Sequence, residues 1–391
     1  MKYWRGFLVA FIVGFFSFLL IEFASSHVLL IDMVYPYVTR MLQTTLAEWA
    51  SSVAFCLWQL FAIVLLLGLL TSIVLMIVLR WNFLQWLGWV TACASLVFFL
   101  HTGIYGLNLY SGPLATDIQL NVTEYTLSEL ENATIYFRDE ANALASQVDR
   151  TPDGDVRYPD FETLAQHAGE GFDYLVYEEK HPVFAGSTIP VKELGWADMF
   201  TSVGTTGLTM PLTGEAAVNP QTPAVGLPFT MCREMARRMC IAIDGDANMA
   251  AFLACQANST VEFRYSAYFM AYRFCYNALI SQETVEAQEA AQRITSGVSD
   301  QLYHDMAAYT RFFAENEDKS ATDIANKLGD AYIRASGREP GVEAYGTVCD
   351  LLVSWHIQEF VLPLQKAEEE QFDPYDEQKV FPPEVETTPE G

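Results

Sequence analysis

The sequence predicts a mainly α protein with three N-terminal transmembrane helices followed by a mostly helical α+β soluble domain that carries a small sheet or hairpin. Three observations predict it. The first 106 residues are nearly free of charge and dominated by long apolar runs, and the remainder is acidic with helical periodicity. Between them in character, residues 183–225 are rich in Gly, Thr and Pro and lose that periodicity.

Charge is divided as sharply as hydropathy. Residues 1–110 set Lys2, Arg5, Arg40 and Arg80 against Glu22, Asp32 and Glu48, a balance of +1, so the rest of the chain must supply −27 of the −26 total. Phosphate recognition needs a basic face, and this chain has none to offer, so no nucleic-acid partner is expected. Acidity of this size makes a soluble, self-repelling surface. Of seven cysteines, Cys56 and Cys93 lie inside apolar runs. Cys232, Cys240, Cys255, Cys275 and Cys349 are scattered without CxxC spacing and read as buried free thiols acting as small apolar residues.

The membrane anchor is placed at 1–106. Behind Lys2 and Arg5 the first span is predicted at about 6–24. Ala24, Ser25 and Ser26 resemble a signal-peptide cleavage site, but apolar character resumes at Val28, which favours a retained span. Residues 28–51, with Tyr35, Tyr37 and Trp49, read as an interfacial segment in which Pro36 starts an amphipathic helix. Further spans follow at 53–79 and 83–102, separated by a short turn at Arg80, Trp81 and Asn82. Lys2, Arg5 and Arg80 fall on one side of three spans, so the positive-inside rule puts the N-terminus in the cytoplasm and everything after Tyr105 outside it. Cleavage of the first run would leave the large domain on the same side. Gln59 and Gln85 inside the spans are expected to pack helix against helix.

The extracytoplasmic domain is placed at 107–365. Thr126 and Glu129 form a capping-box pattern ahead of an amphipathic helix, and a second helix is predicted over Asp160–Tyr177. Ser187–Val191 and Gly207–Leu212 have strand-like content, with Thr213, Gly214, Glu215 and Ala216 turning back. An apolar, aromatic helix is predicted over Phe263–Leu279, amphipathic helices over 282–314 and 319–336, and a core helix over Tyr345–Val361. Residues 366–391, acidic and Pro-rich, are expected to be disordered. His167, His181, His304 and His356 lack partners at ligand spacing and are read as solvated, capping or partly exposed helix residues.

The rest is organised around Gly226–Cys255, read as two helices joined by an acidic turn at Asp244, Gly245 and Asp246. The first helix carries Arg233, Glu234 and Arg237 in the register of a zinc-peptidase HExxH motif. In that motif two histidines one turn apart ligate zinc, the glutamate activates water, and a carboxylate on the next helix completes the site.

These residues, with blocks at Phe200–Val218, Leu227–Cys255, Phe263–Ser266, Asp330–Gly337 and Tyr345–Leu352, resemble a family of bacterial three-span membrane proteins of unknown function with an extracytoplasmic, gluzincin-like domain. The resemblance implies zinc, histidines where Arg233 and Arg237 stand, and a glutamate where Asp246 stands. Guanidinium has no lone pair for a metal, so no cofactor is expected here. Cys232 and Cys240 lie about 12 Å apart along a helix and cannot share an ion. Arg233 and Arg237 are expected to bridge to Asp246 and Glu234, with Glu215 a further partner, filling the metal's space. The resulting expectation is a membrane-anchored, catalytically inactive zincin-like protein in which Glu234 is a vestigial general base, with the lipid bilayer and an extracytoplasmic peptide or protein as partners. An active membrane-tethered metallohydrolase with a non-standard site and a purely structural envelope protein stay open as alternatives.

Overall fold

A computed structural model of the chain describes residues 4–338 and 343–364, with side chains from 348 onward in the last segment. Four helices open it: α1 (Arg5–Ser26), α2 (Val28–Ala50), α3 (Leu57–Val78) and α4 (Phe83–Ile104). Of these, α1, α3 and α4 are long and apolar enough to cross a membrane. The third span was expected from 83, and the apolar helix α4 begins there, its start capped by Asn82, whose side chain accepts from the Gln85 amide at 3.2 Å. The second starts four residues later than expected, at Leu57, because Glu215 from the far side of the chain caps it.

α2 is a continuous helix that begins at Val28, so Pro36 lies in its interior rather than at its start. An interior proline forfeits one helical hydrogen bond. The helix persists because its inner face is tied down: Asp32 Oδ1 accepts from the Gly112 amide at 2.7 Å, Arg40 Nε donates to Met239 O at 3.0 Å, and Gln43 donates to Pro211 O at 3.0 Å. The other face exposes Leu29, Met33, Tyr37 and Met41, one turn apart. The amphipathic pattern is thus real, with the polar side used against the domain.

After α5 (Leu114–Asp117), α6 (Leu127–Ala145) begins with the expected capping box: Thr126 accepts from the Glu129 amide and Glu129 accepts from the Thr126 amide. The helix expected over Asp160–Tyr177 is two, α7 (Phe161–His167) and α8 (Glu170–Tyr177). They part at Ala168 and Gly169, letting Gly171 ride against the backbone of Ala254. The strand region holds three strands, β1 (Lys192–Glu193), β2 (Gly207–Met210) and β3 (Glu215–Val218), in the order β1-β3-β2. Two departures stand out. Ser187–Val191 is not a strand, and Glu215 and Ala216, read as a turn, are the start of the central strand, the reversal being completed by Gly214 at φ 66°. β1 runs parallel to β3, and β2 antiparallel to it. A short α9 (Ala197–Ser202) separates β1 from β2.

The core is helical. α10 (Leu227–Arg238), α11 (Asp244–Gln256) and α12 (Val261–Ile280) pack on one another, with α12 also against α6 and both α11 and α12 against α16 (Glu343–His356), while α13 (Val285–Ser296), α14 (Asp300–Asn316) and α15 (Lys319–Ala335) complete the domain. Phe252 meets Phe137 and Trp355 edge-on at 5.6 and 5.0 Å, joining three helices in one aromatic cluster. Buried Asp305 accepts both Arg150 Nη1 and Nη2, at 2.9 and 2.8 Å, and the Tyr265 hydroxyl, which anchors α14 to α12. The five cysteines of the domain are buried free thiols, as their spacing suggested. Residues 366–391 lie outside the described residues.

Candidate functional site

α10 starts with Pro228 in its first turn, where a missing amide costs nothing, and ends in a reversal through Cys240 at φ 70°. The residues expected to form the turn, Asp244 to Asp246, are the first turn of α11, where carboxylates favour the positive end of the helix dipole. β2 and β3 lie across α10. Gly207 is so close that a Cβ there would meet Glu234 Cγ at 2.7 Å, so only glycine fits.

That contact determines the state of Glu234. Its side chain is fully buried and both oxygens are engaged: Oε1 accepts from Arg233 Nε and Nη2 at 3.0 and 2.8 Å, and Oε2 accepts from Thr209 Oγ1 at 2.9 Å. Arg233 also reaches Thr206 Oγ1 at 3.1 Å. Arg237, one turn on, is ion-paired with Asp244, and its backbone carbonyl accepts from the Tyr105 hydroxyl at 3.0 Å.

The expected four-residue ion-pair cluster is therefore only partly assembled. Arg233 does pair with Glu234, but among the described residues no ion pair joins Arg237 to Asp246. Asp246 lines a different cavity of about 350 Å³, with Asp32, Arg40 and Asp117, and its Oδ2 accepts from the Leu114 amide at 3.1 Å. Burial pushes its carboxyl up to about 6, with nearby Asp117 adding to the rise and the Leu114 amide opposing it. Being two positions apart on a helix, Asp244 and Asp246 point to different sides, which is why one meets Arg237 and the other does not.

Glu215 is elsewhere again. Its buried carboxylate accepts from the amides of Leu57 and Trp58 at 2.8 and 2.9 Å and pairs with Lys192 at 2.7 Å. It is a cap for the apolar helix α3, not a partner of the arginines. Gln59, expected to hold helix to helix, also bonds the domain: it accepts from the Gly195 amide at 3.1 Å and donates to the Gly195 carbonyl at 2.8 Å.

Arg233 and Arg237 open instead onto a cavity of about 510 Å³ between α10, α11, α12 and α14. Its wall includes Asn248, Met270, Arg273 and Tyr309. The Arg273 guanidinium lies 4.2 Å over the Tyr309 ring. Sequence reasoning passed over Arg273, although an arginine between Tyr272 and Phe274 in the aromatic run of α12 was a usable signal. It also passed over Arg238, fully buried behind the site, where Nη2 donates to the carbonyls of Ser187 and Ile189 and burial pulls its pKa down to about 10.

Zinc does not fit these residues. Two guanidiniums have no lone pair to give, and Asp246 opens onto the other cavity, so the three positions do not converge. Among the described residues, no group of three or more His, Cys, Asp or Glu is placed to hold a metal ion. The histidines have other employment: His167 pairs with Glu170 and His304 with Asp155. His356, expected to be partly exposed, is buried against Tyr136, and burial lowers its pKa.

No curated protein and no solved structure matches the chain. A family model described as a protein of unknown function, DUF3810, matches residues 31–353, from within α2 through the α10–α11 pair to α16. The match covers most of the chain, which therefore belongs to the DUF3810 family of proteins of unknown function.

Proposed function

We propose that this is a membrane-anchored protein whose extracytoplasmic domain is a catalytically inactive, metallopeptidase-like module, and that its arginine-lined cavity binds a peptide or protein segment. The observation that carries the reading is the cavity itself. A site that had lost its metal and kept no ligand would be free to collapse, and ion-paired arginines could fill the space. Here the arginines are paired at the edge and about 510 Å³ stays open, within the rough 300–1,000 Å³ range of ligand pockets.

The chemistry at Glu234 supports inactivity. A general base needs a free lone pair within reach of water. Both carboxylate oxygens of Glu234 are already accepting hydrogen bonds, one from a cation, in a fully buried position. Topology supports the anchor. The C-terminal end of α1, the N-terminal end of α3 and the C-terminal end of α4 all adjoin the domain: Gly337 lies against the Ile21 side chain, Glu215 and Gln59 hold the start of α3, and Tyr332 packs edge-on against His101 at 5.3 Å. Arg5 and Arg80 sit at the opposite ends, as the positive-inside rule requires of a domain outside the cytoplasm.

The test combines metal content with peptide binding. Full-length protein in lipid nanodiscs should contain substoichiometric zinc, leave peptides uncleaved, and bind a fluorescent peptide library saturably. The double variant Arg233→His, Arg237→His should still fail to take up zinc, because Asp246 is not turned toward those positions. Stoichiometric zinc, or hydrolysis abolished by Glu234→Gln, would overturn the reading.

A further inference from the structure

The geometry points to the carboxyl terminus of a peptide as the group that the arginine-lined cavity recognises, with Arg273 and Arg237 holding its carboxylate and Asn248 holding its last backbone amide. This rests on the peptide-binding reading above and specifies which part of the peptide is read.

The inference follows from which polar groups in the cavity remain unspent. Arg233 is committed to Glu234 and Thr206. Arg237 is paired with Asp244 through Nη2, but its Nε is buried with no acceptor. Arg273 has its ring partner Tyr309, and among the described residues no carboxylate is in ion-pair contact with it. Glu317, the remaining acid of the wall, sits with its carboxylate beside Gly204. The cavity therefore offers one guanidinium without a counter-charge and one further buried N–H, in a chain of net charge −26. A cation kept uncompensated against such a surface selects an anion, and a guanidinium's planar fork matches a carboxylate.

Asn248 distinguishes a peptide end from a bare anion. It is 9 % exposed, and its Oδ1 is buried without a donor. A side-chain amide offers a donor and an acceptor together, which is the complement of one backbone peptide unit. A fully deprotonated inorganic anion such as sulfate has no donor for Oδ1, whereas the last peptide unit brings its N–H. Met270, Phe274 and Phe313 supply an apolar wall beside these groups for the terminal side chain. An unspent donor pair for a carboxylate, an unspent acceptor for an N–H and an apolar wall together describe a peptide's carboxyl end.

The experiment uses full-length protein in nanodiscs and fluorescein-labelled pentapeptides randomised at the last two positions, prepared as free acids and as carboxamides, with inorganic phosphate as competitor. Free acids should bind at least about tenfold more tightly than amides, as expected for charge-assisted hydrogen bonds to one carboxylate. Arg273→Gln should abolish that preference, and Asn248→Ala should weaken acids and amides alike; a thermal melt establishes that each variant is folded. Equal binding of acids and amides overturns this inference while leaving peptide binding intact. Binding of neither form overturns the peptide-binding reading itself. Phosphate displacing the acids at concentrations as low as the peptides' own would also overturn the inference, since it would mark a bare-anion site.

Discussion

Glu215→Gln tests how the domain is joined to the membrane helices. The native carboxylate accepts from Leu57 N and Trp58 N, capping α3, and pairs with Lys192, whose ammonium also donates to Ala50 O and Phe55 O at 2.8 and 2.9 Å. Glutamine has the same shape but one acceptor oxygen, so one of the two amides would face an NH₂ group. The Lys192 side chain, 12 % exposed, would keep its carbonyl partners and lose its counter-charge. Removing one partner of a buried pair costs about 3–5 kcal/mol. The remaining carbonyls bring this to the lower end, and loss of the helix cap adds roughly 0.5–2 kcal/mol. The expected total is about 3–5 kcal/mol, or a fall in Tm of roughly 6 °C or more at about 2 °C per kcal/mol for a domain of this size. The assay is thermal and denaturant unfolding of detergent-solubilised full-length protein, with Lys192→Met and the double variant completing a cycle. The double variant should be less destabilised than the sum of the singles by about 1–3 kcal/mol. A Glu215→Gln protein within about 0.5 kcal/mol of wild type, or a strictly additive cycle, would refute the account of this joint.

Three further outcomes follow from individual contacts. Arg237→Met should cost no more than about 1 kcal/mol, because its partner Asp244 is 55 % exposed and Asp246 does not depend on it; a loss several times larger in a denaturant titration would restore the Asp246 pairing. Asp246 has its folded pKa raised from 3.8 to about 6, so the folded state binds a proton that the unfolded state releases across that window. Its contribution is therefore most favourable below pH 4 and is lost as pH rises through about 6, by up to about 3 kcal/mol. Asp246→Asn should remove this decline, and a stability difference from wild type that stays constant between pH 4 and 7 would refute it. Gly171→Ala would place a Cβ 1.8 Å from Ala254 O, which must push α8 off α11. The expected cost is about 1–3 kcal/mol, and unchanged unfolding would contradict that packing.

Much of the secondary structure was legible because its determinants are local. The Thr126–Glu129 capping box, the apolar runs of α1, α3 and α4, and the helical periodicity from α12 to α15 are read from residues within a turn or two of each other. Errors fell where a distant partner decides. Pro36 looks like a helix start, yet α2 passes through it because Asp32, Arg40 and Gln43 bind the domain on either side. Glu215 looks like part of a turn, yet it is in the central strand and caps a helix more than 150 residues earlier in the chain. Gln59 looks like helix glue, yet its partners are the backbone groups of Gly195.

The candidate site divides along the same line. Sequence alone determined that Arg233 and Arg237 lie one helical turn apart beside Glu234, that neither can ligate a metal, and that Asp246 opens the following helix. These are consequences of residue chemistry and of a 3.6-residue period, which need no fold. Only the tertiary structure decided which carboxylate each arginine meets, because that depends on how α10 and α11 are rotated about the reversal at Cys240. It turned Asp246 into a separate acidic cavity and brought Arg273 and Asn248, from α12 and α11, to the arginines. Spacing along one helix specifies which residues share a face; what that face confronts is set by the packing of elements far apart in the chain.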